Sequence, residues 1–90
     1  MGISAVKYKI LPESLEVDLD ELKEKCKSVI SENNGNVSDI EEDPIAFGLK
    51  ALIISFAFPE EREIDEIGNK LSEVEGVSSV EMIDYRRAVG

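Results

Sequence analysis

The side chains that most often carry out bond chemistry are scarce in this sequence. It contains no histidine, so the commonest general base and metal ligand is absent. Its single cysteine, Cys26, belongs to an apolar pattern at helical spacing, which favours core packing over reactivity. Neither Gly-x-x-x-x-Gly-Lys nor Gly-x-Gly-x-x-Gly occurs, so both common glycine-rich phosphate loops are missing. We therefore expect no catalytic residue, no metal site and no cofactor.

A run of acidic residues at 39–43 is the nearest approach to a cation site. Carboxylates favour magnesium and calcium as ligands. The run nevertheless lacks the ligand spacing and the glycine of a dedicated calcium loop. A solvated hairpin is the simpler interpretation, and we adopt it.

The residues that follow this run point to binding rather than to bond chemistry. The aromatic residue Phe47 is followed directly by Gly48, and Pro44 lies three residues before it. Proline fixes its own φ and lacks an N–H donor, whereas glycine adopts conformations that other residues resist. The pattern predicts a rigid turn with Phe47 at its tip. The ring can insert into a partner or fold back onto the sheet edge, and the sequence alone favours neither.

Charge and composition narrow the class of partner. Ten basic and 20 acidic residues give a net charge of −10. Phosphate backbones and anionic membrane surfaces repel such a chain, so we expect no direct nucleic acid binding and no membrane association. A basic protein is a better partner. The lone cysteine and the lack of any apolar run near the roughly 20 residues of a membrane span favour a cytoplasmic protein.

Hydrophobic periodicity predicts six elements. Alternating residues indicate strands, apolar residues three and four apart indicate helices, and glycine or proline marks most boundaries. The predicted elements are a strand at 4–11, a helix capped by Asp18 and ending at 33–35, a weaker strand at 36–46, a strong strand at 49–58, a helix from Ile64 ending at Gly76, and a strand at 77–86.

This order predicts an α+β fold made of one domain over residues 1–90. The apolar stripes of the two helices can be buried against one face of the sheet, which gives a two-layer sandwich. The simplest topology is ferredoxin-like βαββαβ, with a four-stranded antiparallel sheet and both helices on one face. Its first and third strands are central, which suits the apolar strand at 49–58.

Five of the ten basic residues fall on predicted strands: Lys7, Lys9, Lys50, Arg86 and Arg87. If their neighbours align, the open face of the sheet carries a small positive patch. Ordinary alternation of polar and apolar residues is the simpler interpretation.

Taken together, the chain resembles the archaeal elongation factor one-beta family and, more distantly, the exchange domain of its eukaryotic counterpart. Matching segments cover nearly the whole chain, and Pro-Ile-Ala-Phe-Gly-Leu-Lys is the specific one. The matching segments are Ile10 to Ser14, Val17 to Lys23, Ile40 to Leu52 and Val80 to Arg87.

The resemblance implies a guanine-nucleotide exchange factor, not an enzyme, for the GTPase elongation factor one-alpha. It implies a GTPase-binding segment that comprises Pro44, Ile45, Phe47, Gly48 and Lys50. Eukaryotic relatives also carry a lysine near the C-terminus that intrudes at the magnesium and phosphate site. This chain has no lysine there, so Arg86 or Arg87 is the candidate replacement. The alternative function is a small-ligand-binding regulatory domain of the same fold.

Overall fold

A computed structural model describes residues 2–60 and 63–88. The chain forms four strands, two helices and one short 3-10 turn. In chain order the elements are β1 (Ile3–Pro12), α1 (Leu19–Glu32), β2 (Asn36–Pro44), the 3-10 turn (Ala46–Gly48), β3 (Lys50–Pro59), α2 (Ile64–Ser72) and β4 (Val77–Ala88). The predicted element order is confirmed.

The four strands form one antiparallel sheet in the order β2-β3-β1-β4. β1 and β3 are therefore central, as expected for a ferredoxin-like sandwich. In the register, Val6 lies opposite Phe56 and Ile10 opposite Leu52. Their side chains share the face that the helices cover, so the core lies between the sheet and the two helices. Its buried members are Val6, Tyr8, Ile10, Leu22, Cys26, Ile30, Leu52, Ile54, Phe56, Phe58, Ile67, Leu71 and Val77.

Helix α1 begins as its sequence predicts. The Asp18 carboxylate accepts hydrogen bonds from the backbone N–H groups of Asp20 and Glu21, at 3.0 and 3.4 Å. These bonds satisfy two of the donors that a helix leaves free in its first turn. The helix ends where Gly35 donates its N–H to the Ile30 carbonyl at 2.8 Å.

Helix α2 is shorter than predicted. It ends at Ser72 rather than continuing to Gly76, and residues 73–76 form a turn. Val74 still packs against the core from this turn, which explains why its helical spacing was misleading. Within the described residues, neither helix has the length and hydropathy that a membrane span requires.

Candidate functional site

The β2–β3 connection is a tight turn closed by its own backbone. Ile45 donates its N–H to the Leu49 carbonyl at 2.8 Å, and Leu49 donates to the Ala46 carbonyl at 3.3 Å. Pro44 ends β2 opposite Lys50, the first residue of β3. Two hydrogen bonds across so few residues fix the turn relative to the sheet.

Phe47 lies at the tip of this turn in a strained conformation. Its φ is +63° and that of Gly48 is +76°. The left-handed region costs an L-residue about 1–2 kcal/mol, and glycine avoids this cost. The sequence led us to expect that glycine would supply the unusual conformation. The structure places both residues in it, so Phe47 itself carries strain.

The Phe47 ring is 91% exposed, the highest value among the large hydrophobic side chains described as exposed. The other two phenylalanines, Phe56 and Phe58, are buried in the core and pack edge to face. Of the two orientations open at the sequence level, the ring adopts the outward one. It does not fold back onto the sheet edge.

An ion-pair network joins the hairpin to α1. Lys23 of α1 donates to Glu42 of β2 at 2.6 Å, and the ammonium of Lys50 lies 3.7 Å from the other oxygen of Glu42. The hydrogen bond from Lys23, more than the charge of Lys50, holds the pKa of Glu42 below its usual value. The same bond raises the pKa of Lys23. Lys50 therefore has an intramolecular partner beside the tip.

A second apolar side chain lies next to the tip, and the sequence reasoning did not identify it. Leu15, in the connection between β1 and α1, is 68% exposed. Its Cδ2 atom is 3.6 Å from the point where a Cβ atom on Gly48 would lie. Between them is an open depression of about 190 Å³, lined in part by Pro12 and Leu49. The sequence did contain one indication, because Leu15 belongs neither to the alternating pattern of β1 nor to the apolar stripe of α1.

Arg86 and Arg87 lie far from this turn. Arg86 is opposite Ala5 on β1, whereas the turn lies beyond Ile10, level with Pro12. Seven residues of strand at about 3.3 Å each separate the two levels by ~23 Å. Arg86 contacts Asp84 at 3.3 Å and Arg87 contacts Glu60 at 3.7 Å. The structure thus separates the sequence-predicted residues into two groups at opposite ends of the sheet.

The positive patch considered for the open sheet face does not form. Lys50 and Arg87 point to the helix side, because they lie in register with the core-facing residues of their strands. Lys7, Lys9 and Arg86 do share the open face, but Arg86 pairs with Asp84, and each lysine lies in a row between two acidic residues. The rows are Asp39–Ser55–Lys7–Asp84 and Glu41–Ile53–Lys9–Glu81. Ordinary alternation is the correct interpretation.

Groups suited to bond chemistry remain sparse. Cys26 is buried in the core, and burial raises the pKa of its thiol to about 11. Across residues 2–60 and 63–88, no group of three or more histidine, cysteine or acidic side chains could hold a metal ion. Among the described residues, the exposed Phe47 turn is the strongest candidate for a functional site, and its apolar ring is suited to binding.

Comparison with known proteins identifies the family. The model of the EF-1 guanine nucleotide exchange domain matches residues 5–87. The chain belongs to this family. Elongation factor 1-beta of Methanosarcina barkeri is 46% identical over 88 residues, which are 97% of this chain and 99% of the relative. The protein of the same name from Methanosarcina acetivorans gives the same values. The resemblance seen in the sequence is confirmed, and the exchange domain has a nucleotide-exchange role in translation elongation.

A solved structure independently supports the fold. The ACT domain from GTP pyrophosphokinase of Chlorobium tepidum aligns with a TM-score of 0.64 and 19% identity, over 88% of this chain and 96% of that one. At this identity the similarity concerns the fold alone. It confirms the predicted sandwich and does not favour the small-ligand alternative.

Proposed function

We propose that this exchange domain acts on elongation factor one-alpha in the cytoplasm, where it promotes replacement of GDP by GTP. The observation that carries the proposal is the Phe47 ring, 91% exposed on a turn closed by two backbone hydrogen bonds. An exposed ring adds nothing to its own core, so contact with a partner is its natural use. The domain contributes binding free energy only; it makes and breaks no bond and uses no cofactor.

Backbone strain at Phe47 supports this assignment. A φ of +63° is unfavourable for an aromatic residue, and no packing of the ring offsets the cost. Strain of this kind persists at functional sites, where the surrounding structure over-determines the conformation. Here the Ile45–Leu49 and Leu49–Ala46 hydrogen bonds do so. Pro44, Ile45 and Gly48 shape the turn, and Lys50 places a charge at its rim.

Nucleotide exchange follows from differential binding. If the domain binds nucleotide-free GTPase more tightly than the GDP complex, linkage requires it to weaken GDP binding by the same factor. Burying a phenylalanine side chain contributes about 2–3 kcal/mol. At 1.4 kcal/mol per tenfold, one ring that contacts only the nucleotide-free form accounts for roughly 30- to 100-fold.

The two arginines extend the proposal to the other end of the sheet. Arg86 and Arg87 lie ~23 Å from the Phe47 turn along the strands. We assign them the role of cations that compete for the magnesium or phosphate site of the GTPase. The ring and the guanidinium groups then contact the partner at separate places, so the GTPase must meet the domain along the length of its sheet.

Equilibrium binding tests the proposal. We expect fluorescence titration to show that the domain binds nucleotide-free elongation factor one-alpha at least tenfold more tightly than the GDP complex. The affinity of the GTPase for GDP should fall by the same factor when the domain is present. Equal affinities for the two forms would contradict a role in exchange.

A further inference from the structure

The surface beside Phe47 contains a second turn of similar design. Val17 donates its N–H to the Ser14 carbonyl at 3.4 Å, so residues 14–17 form a four-residue turn that presents Leu15. Glu13 donates to the Gly76 carbonyl at 2.9 Å, which ties this turn to the start of β4. Leu15 is thus held at a fixed position. An exposed leucine there gains little from its own fold.

The two turns meet at Gly48. Leu15 packs beside Gly48, the residue that follows Phe47. The two side chains are 68% and 91% exposed, the highest values among the exposed large hydrophobics of the described chain. Two strongly exposed apolar side chains at one end of a small domain are typical of an interaction surface rather than of chance exposure.

Acidic side chains border this apolar pair. Glu13, Glu16 and Asp43 are all exposed, and the described part of the chain gives none of them an ion-pair partner. Lys50 is the nearby cation, and Glu42 already pairs with it. The surface therefore consists of two apolar residues with a negative rim. A complementary surface is an apolar recess with lysine or arginine at its border.

We propose that Leu15 is a second GTPase-contact residue, which packs against an apolar surface of the GTPase next to the recess that receives Phe47, while the acidic rim meets basic side chains of the GTPase. This inference rests on the proposed function, since it names further residues at the same site. Leu15 contributes to the affinity for the GTPase in every nucleotide state, because its contact is present whenever the partner is bound. Phe47 remains the residue that discriminates between nucleotide states.

Release of a fluorescent GDP analogue from purified elongation factor one-alpha, measured against exchange-domain concentration, tests the inference. We expect Leu15→Ala to raise the half-saturating concentration about fivefold. The maximal rate and the thermal midpoint of the free domain should remain unchanged. Glu24→Ala is the control, because Glu24 is an exposed residue of α1 that lies outside both proposed contact regions. It should leave both kinetic parameters unchanged.

Charge reversal tests the rim. We expect Asp43→Lys to slow association at low salt, and added salt to remove the difference from wild type. Glu24→Lys reverses an exposed charge on α1 and is the control. If Asp43→Lys and Glu24→Lys associate at the same rate, the proposal that basic side chains of the GTPase meet the acidic rim is wrong.

The possible failures are distinguishable. If wild type does not accelerate GDP release, the proposed function and this inference both fail. If wild type is active and Leu15→Ala matches it, only the inference about Leu15 is overturned. If sedimentation shows a dimer that Leu15→Ala dissociates, a second copy of the chain occupies the surface, which also overturns the inference.

Discussion

Lys23 Nζ lies 2.6 Å from Glu42 Oε2, and this contact joins the second turn of α1 to β2 two residues before Pro44. The other oxygen of Glu42 faces Lys50, at the start of β3. One carboxylate therefore connects the helix layer to both strands that carry the Phe47 turn. The contact is partly exposed, so its effect on stability is modest, but it restrains the base of the hairpin.

The first prediction concerns the pH dependence of this contact. Lys23 lowers the folded-state pKa of Glu42 below its ordinary value of 4.5. A lowered pKa stabilises the fold above that ordinary value, and the stabilisation is lost as pH falls through the lower folded-state pKa. Thermal unfolding between pH 3 and pH 7 should therefore show Glu42→Gln less stable than wild type at neutral pH. The two should converge in acid.

Glu41→Gln is the control for this prediction. It removes the same charge from the adjacent residue, on the opposite face of β2. Its difference from wild type should not show the same convergence. A gap between Glu42→Gln and wild type that stays constant from pH 7 to pH 3 would contradict the ion pair.

The second prediction concerns Gly68, in the interior of α2. Alanine favours a helix by about 1 kcal/mol over glycine. A Cβ atom at Gly68 would nevertheless lie 3.2 Å from the Tyr8 hydroxyl oxygen. Tyr8 is buried and donates to the Ile64 carbonyl at 3.3 Å, so it cannot withdraw freely. Gly68→Ala should therefore fail to stabilise the domain in denaturant titrations.

A second background makes this test sharper. Tyr8→Phe removes the hydroxyl oxygen, and in that variant Gly68→Ala should become stabilising. A gain of about 1 kcal/mol from Gly68→Ala in the wild-type background would show that the contact imposes no cost.

The sequence was sufficient for the fold because local signals agreed with the global arrangement. The Asp18 cap, the alternating β1 residues and the two apolar helix stripes all indicated the same sandwich. The end of α2 was missed because Val74 keeps helical spacing while it packs from a turn. Spacing alone cannot distinguish a last helical turn from a loop residue that reaches the same core.

The third prediction concerns Cys26. Its side chain is fully buried, and burial raises the pKa of its thiol from 9.0 to about 11. The thiolate is the reactive form, so at pH 8 the native thiol should react with a disulfide reagent only as fast as the protein opens. The same protein in guanidinium chloride should react at once. Rapid, complete labelling of the native protein would contradict the buried position.

The fourth prediction concerns Arg86 and Arg87. Replacing both by glutamine should slow nucleotide exchange on the order of tenfold, whereas replacing both by lysine should retain part of the rate because the charge remains. The Phe47 turn is ~23 Å away along the strands. The loss should therefore multiply with that of Phe47→Ala. Exchange at the wild-type rate by the double glutamine variant would remove the arginines from the mechanism.

The candidate site was only partly predictable. Phe47 could be recognised because proline and glycine flank an aromatic residue in a predicted connection. Its positive φ could not be predicted, because Gly48 was the residue expected to adopt that conformation. The separation of Arg86 from the turn depends on strand register, and the approach of Leu15 to Gly48 depends on two loops that meet in space. Neither follows from periodicity along one chain.

The most direct test of the account compares wild type with Phe47→Gly in GDP release from elongation factor one-alpha. Glycine adopts a φ of +63° without strain, so the variant should fold and keep the thermal midpoint of wild type to within a few degrees. We predict that its exchange rate falls about 30- to 100-fold, because the variant lacks the ring that the GTPase buries in the wild-type complex. A folded Phe47→Gly variant that releases GDP at the wild-type rate would contradict the central claim.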